Sequence, residues 1–148
     1  MSSDTPAVAH PGSTTSTSHA APIIFLGRLC FALVFLLGGP RHFLSETISF
    51  AASQGVPLAN IAVPLSGAMA VIGAILIILG YRAKLGASLI VLFLLGVTPM
   101  MHRFWAVSDP MMYRMQFAMF MKNLSMLGGA LLITQFGPGS WSLDYRHR

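Results

Sequence analysis

The run LANIAVPLSGAMAVIGAILIILG, residues 58–80, carries no charged side chain over its whole length. As a helix rising about 1.5 Å per residue, it is long enough to cross the roughly 30 Å hydrocarbon core of a bilayer. Ser66, Ala70 and Ala74 recur at four-residue spacing on one face. Small side chains placed this way let membrane helices approach closely, because lipid supplies no hydrophobic drive between them. Only Tyr81-Arg82-Ala83-Lys84 separates this run from the next, Leu85 to Met101, so the two are antiparallel neighbours. Working outward, Ile23 to Gly39 is apolar apart from Arg28 and stops at Gly38-Gly39-Pro40, while Phe117 to Phe136 stops at Gly137-Pro138-Gly139. The expected fold is all-α, an integral membrane four-helix bundle of up-down topology. Its transmembrane domain covers residues 23–139, with spans at 23–39, 58–80, 85–101 and 117–136.

Composition agrees. Of 148 residues, 55% are hydrophobic and 9% charged, and the mean hydropathy is +0.72, whereas about a quarter of residues are charged in soluble domains. The net charge of +5 does not point to nucleic acid, because the basic residues sit at the ends of apolar runs and form no Lys/Arg-rich block. That placement suits lipid phosphates. Cys30 is alone, which rules out an internal disulfide and Cys-x-x-Cys chemistry. Residues 1–22, rich in Ser, Thr, Ala, Pro and His, read as a disordered tail without the basic start of a signal peptide. Residues 140–148 read as a short solvated tail, and Arg41 to Pro57 contains a short amphipathic interfacial helix. Arg82, Lys84, Arg146 and Arg148 lie on the side of the termini and Arg41, Arg103, Arg114 and Lys122 on the other. Arg28 tips the balance toward cytoplasmic termini in a multi-pass protein of the inner (plasma) membrane.

Chemistry is concentrated at Thr98-Pro99-Met100-Met101-His102-Arg103-Phe104-Trp105 and at Lys122-Asn123. In an up-down bundle, Arg41, His42, His102, Arg103, Trp105 and Lys122 meet at one membrane face and would line a cationic, aromatic pocket for an anion or a quinone head group. The competing reading makes Arg41, Arg103 and Trp105 interfacial anchors, with Lys122 and Arg28 snorkelling to the head groups and His102 solvated at its helix end. Haem ligation by His42 and His102 is disfavoured, since both lie at span ends beside arginine. Carboxylate metal sites and ion-coupled transport are disfavoured because Glu46 and Asp109 are the only acids between the tails. Arg41-His42-Phe43 after span one and His102-Arg103-Phe104 after span three hint at two similar halves.

Several local patterns together resemble the DoxX family of small four-helix membrane proteins. They are the pair Phe104-Trp105, the run Met121-Lys122-Asn123-Leu124-Ser125 opening span four, and Gly137-Pro138-Gly139-Ser140-Trp141-Ser142-Leu143-Asp144 at its close. Gly27-Arg28-Leu29 and Gln54-Gly55-Val56-Pro57 agree with the first half of that pattern. Where many members of that family carry an acid in span two, this chain reads Ala70-Val71-Ile72-Gly73-Ala74. The resemblance implies redox work beside a quinone pool, as in the membrane subunit of thiosulfate:quinone oxidoreductase.

The expected function is therefore that of a membrane subunit in an oxidoreductase system, holding a quinone or a small anionic reductant through Arg28, His102, Arg103, Trp105 and Lys122. Arg103 and Lys122 would bind negative charge and His102 would handle protons. No catalytic nucleophile, metal site or cofactor motif is visible, and a quinone is the one cofactor this edge would suit. Expected partners are the lipid bilayer, a soluble or membrane oxidoreductase subunit and further copies of the chain, but not nucleic acid. The alternative is a non-enzymatic scaffold that anchors a soluble partner through residues 102–116.

Overall fold

The computed structural model describes residues 17–146, and among these every regular element is helical. The expected N-terminal tail falls outside the described residues up to position 16. Six α-helices follow in order: α1 (Thr17–Gly38), α2 (Ser45–Ser53), α3 (Ala59–Leu79), α4 (Ala83–Met101), α5 (Pro110–Phe136) and α6 (Leu143–Arg146). Short 3-10 turns cover Gly39–Phe43 and Phe104–Ala106, so both Arg-His-Phe-like segments lie at or beside such a turn. Four stretches are long and apolar enough to cross a membrane: Ala20–Phe43, Ala59–Leu79, Ala83–Ala106 and Pro110–Phe136. They alternate in direction, which brings the start of α1 and the end of α5 to one end of the bundle. The all-α, up-down, four-helix architecture is the one composition implied.

Two helix starts differ from expectation. α1 begins at Thr17 instead of residue 23 and contains Pro22. A proline there removes the N–H that would otherwise bond to the carbonyl four residues earlier, close to the helix start. α5 begins at Pro110 instead of residue 117. Its N-cap Asp109 accepts from the Met112 amide at 2.8 Å, and Pro110 occupies the first helical position, where its missing N–H costs nothing. At 27 residues, α5 runs about 40 Å, so roughly two turns stand outside a 30 Å core. Residues 102–116 are therefore mostly helix, not linker.

α3 lies between α1 and α4, and α4 between α3 and α5. The shared core is built from Ala32 and Phe35, then Ala70, Ala74 and Ile77, then Ala87, Ile90 and Leu94, with Ala130 from α5. Where α3 and α4 meet at two glycines, a Cβ on Gly73 would stand 2.8 Å from the Gly86 carbonyl oxygen, and one on Gly86 would stand 2.8 Å from that of Gly73. Glycine at both positions sets this spacing. Leucine, isoleucine and methionine cover the outward faces: Ile61, Leu65, Ile72, Leu92, Leu95 and Leu132 are all exposed. A chain dissolved in lipid has no reason to hide them.

The end bearing the termini is closed by residues 137–146, which are docked instead of forming a solvated tail. Asp144 accepts from the Arg82 amide at 2.7 Å and the Ala83 amide at 3.0 Å, capping α4, while its own amide donates to the Gly80 carbonyl at 2.8 Å. Arg82 holds a left-handed backbone at φ 45°, a conformation unfavourable for a side-chain-bearing residue that the double cap offsets. Hydrogen bonds to a charged acceptor contribute about 1.5–3 kcal/mol. Asp144→Ala is therefore expected to lower the thermal midpoint of the purified protein clearly, with Asp144→Asn intermediate; an unchanged midpoint for both would show that the cap is dispensable.

Candidate functional site

At the opposite end, α3 and α4 separate above their glycine contact. A cavity of about 420 Å³ opens between them, roofed by α2 and the Gly39–Phe43 turn. Its wall is mostly apolar, with Val63, Met69, Phe93, Met100 and Met101 prominent. The polar groups in it are His42, Thr47, Ser66 and His102. Pro64 and Pro99 each delete one helical hydrogen bond beside it. Ala51, Ala59 and Val63, with Ile48, Val56 and Met101 around them, seat α2 on this end.

Both histidines are oriented by a neighbour. His42 Nδ1 lies 2.9 Å from Ser66 Oγ, and that hydroxyl donates to the Val63 carbonyl at 2.7 Å. Phe93 flanks the His42 ring, with centroids 5.6 Å apart. His102 Nδ1 lies 3.0 Å from Gln116 Oε1 on α5. The α5 overhang is thus part of the site's support, because without its first two turns Gln116 would not reach α4.

The sequence-derived site residues divide. His102 lines the cavity, as does His42. Arg103 turns away and donates to the Gln54 carbonyl at 2.7 Å, tying the end of α4 to the end of α2. Trp105 is exposed and joins an aromatic cluster in which the Phe104 ring packs edge-on against Trp105, Tyr113, Phe117 and Phe120. Lys122 lies on the outer surface of α5, its Nζ 3.4 Å from Met119 Sδ one turn nearer the helix start. That direction is the one a snorkelling lysine takes. Arg28 is at the other end of the bundle, only 4% exposed, and donates to the carbonyls of Ile77 and Trp141. Arg103, Trp105 and Lys122 thus do not converge on the pocket, and Arg28 ties α1 to α3 and to the C-terminal segment.

Sequence reasoning did not single out Ser66 and Gln116 as orienting groups, and it marked the stretches holding Thr98 and Asn123 without pairing these two buried residues. Asn123 Nδ2 donates to Thr98 Oγ1 at 3.2 Å between α4 and α5. Side-chain hydrogen bonds between membrane helices average about 0.6 kcal/mol. A double-mutant cycle with Thr98→Val and Asn123→Leu, read by unfolding in detergent, is expected to show coupling of about that size. A coupling of zero would remove the pair from the account of helix docking.

The family model of the SURF4 family matches residues 21–148. The chain belongs to the SURF4 family. It is 33% identical over 134 residues to inner membrane protein YphA of Escherichia coli, covering 86% of this chain and 92% of that protein. It is also 31% identical over 74 residues to the surfeit locus protein 4 homolog of Schizosaccharomyces pombe, covering 49% of this chain and 24% of that one. No solved structure matches it. These matches overturn the resemblance to the DoxX family. The motifs behind that resemblance serve general needs of a membrane bundle: Gly137-Pro138-Gly139 ends a helix, Asp144 caps another, Asn123 bridges two, and Phe104-Trp105 packs a turn onto α5. With four membrane-crossing helices and an inner membrane protein as a near full-length relative, this SURF4-family chain is a multi-pass inner-membrane protein.

Proposed function

We propose that this SURF4-family protein binds a lipid-soluble ring ligand of the quinone class in the cavity between α3 and α4, serving as a membrane subunit beside an oxidoreductase partner. One observation carries the reading: two oriented imidazoles, His42 and His102, face a single apolar cavity of about 420 Å³ at one end of the bundle. An apolar wall with a few placed polar groups is the usual form of a small-molecule site. A ligand with an apolar tail would arrive through the lipid and leave its polar ring between the histidines. The charged residues Arg103 and Lys122 lie outside this cavity, so the ligand envisaged is neutral. The end bearing the termini is taken to face the cytoplasm.

Binding of decylubiquinone and its reduced form to the detergent-purified protein, measured by calorimetry, tests this. His42→Ala and His102→Ala are each expected to weaken the Kd of whichever form binds more tightly by about fivefold to tenfold, the worth of one net hydrogen bond of about 1 kcal/mol. Saturable binding indifferent to both substitutions would remove the cavity from the proposal.

A second reading rests on α5, which packs chiefly on α4 and the Phe104–Ala106 turn and leaves Met111, Tyr113, Met115, Phe117 and Met121 exposed. That surface suits a scaffold holding a partner protein. Crosslinking from position 115 in native membranes, with no quinone binding to the purified chain, is the result that would favour it.

A further inference from the structure

We infer that the cavity takes its ligand as a hydrogen-bond donor, so that it selects the quinol over the quinone; this rests on the binding reading above. Ser66 has one hydroxyl hydrogen, and its Oγ lies 2.7 Å from the Val63 carbonyl oxygen, which can only accept. That hydrogen is therefore committed to Val63. Ser66 then turns a lone pair toward His42 Nδ1 at 2.9 Å, and a contact that short holds together only if Nδ1 carries hydrogen. A neutral imidazole has one N–H, so the other ring nitrogen, Nε2, is left as an acceptor.

His102 reaches the same state by a separate route. Its Nδ1 faces the Gln116 carbonyl oxygen at 3.0 Å, again an acceptor, so Nδ1 donates and Nε2 keeps its lone pair. Neither Nε2 makes a hydrogen bond among the described residues, and the sole buried side-chain polar atom left without a partner among those residues is Arg28 Nε, at the other end. Both Nε2 atoms are therefore accessible acceptors on residues that line one cavity.

A quinone ring offers two carbonyl oxygens, also acceptors, and places lone pair against lone pair. A quinol of the same ring and tail offers two O–H donors. Sites that expect a donor reject an isosteric analogue lacking it far more strongly than they reject a change of shape, since their own polar groups are then left unpaired.

The test uses the full chain in detergent under anaerobic conditions at about pH 8, above the ordinary titration range of histidine. Three probes share one skeleton: decylubiquinol, decylubiquinone, and the dimethyl ether of the quinol, which has the reduced ring but no donor. The quinol is expected to bind at least about tenfold more tightly than either of the others. His42→Gln together with His102→Gln replaces each ring by an amide that can turn either an N–H or a C=O to the ligand, and is expected to bring quinol and quinone toward equal affinity. Equal or tighter binding of quinone or ether by the wild-type protein overturns the selection while leaving the binding reading intact. Failure of all three probes to bind overturns both.

Discussion

Gly80→Ala is expected to leave little folded protein in the membrane. Gly80 ends α3 at φ +63°, in the left-handed region, which costs a residue with a Cβ about 1–2 kcal/mol. Space is the greater obstacle. A Cβ there would collide with the Arg28 guanidinium and with Ser142, whose Cα would be only 3.0 Å away. Forcing a methyl into such a site costs a further 1–3 kcal/mol or so, and the total of about 2–5 kcal/mol is a large share of ordinary domain stability. Gly128→Ala is the control, because nothing lies within 4 Å of a Cβ at that position. Membrane yield and thermal midpoint should fall for Gly80→Ala and hold for Gly128→Ala. Equal behaviour of the two would mean that the C-terminal segment does not pack on Gly80 as described.

Arg28→Ala is expected to destabilise nearly as much while leaving ligand affinity alone. The guanidinium reaches the Ile77 carbonyl on α3 at 3.3 Å and the Trp141 carbonyl beyond α5, so one side chain of α1 ties three segments. Hydrogen bonds from a charged donor contribute about 1.5–3 kcal/mol each, partly offset by the cost of burying a cation that has no carboxylate bonded to it among the described residues. A net loss of about 2–4 kcal/mol is expected on these terms. Arg28→Lys should recover only part of it, because an ammonium lacks the planar fork that reaches two carbonyls at once. The variant that survives purification should bind decylubiquinol with wild-type Kd, since the cavity is at the other end of the bundle. A selective loss of binding with unchanged midpoint would instead place Arg28 in the ligand site.

The four spans were legible because uninterrupted apolar runs of about twenty residues have one common physical solution in a bilayer, a helix that satisfies its own backbone. Their inner boundaries, at Gly38, Leu79 and Met101, fall within a residue or so of the Gly, Pro and polar signals in the sequence. The starts at Thr17 and Pro110 were less visible, because helix outside the membrane carries no apolar signature. Asp109-Pro110 suits a turn as well as a helix start, and nothing local told how far a helix there would extend.

The candidate site was legible only in part, and the reason is distance along the chain. His102 stood out by residue type, and His42 was placed at the same membrane face without being counted among the ligand-holding residues. Ser66 registered as a small packing residue, yet across the helix interface it orients a histidine 24 positions away. Gln116 gave no signal, because its role exists only once α4 and α5 lie antiparallel and bring it 14 positions back to His102. Lys122 and Arg103 drew attention as charges near apolar runs, but charge in a sequence does not say which side of a helix it occupies, and both lie outside the cavity.

By itself, then, the amino-acid sequence determined the solvent, the number of spans and their alternating direction, since successive apolar runs that each cross a bilayer, with no further apolar run between them, must alternate. Only the tertiary structure decided which polar residues meet. Side-chain direction depends on the rotation of each helix about its axis, and that rotation is set by close contacts such as Gly73 on Gly86 and by the Arg28 and Asp144 ties at the far end. Those contacts join residues 13 to 113 positions apart, a relation that no local pattern records.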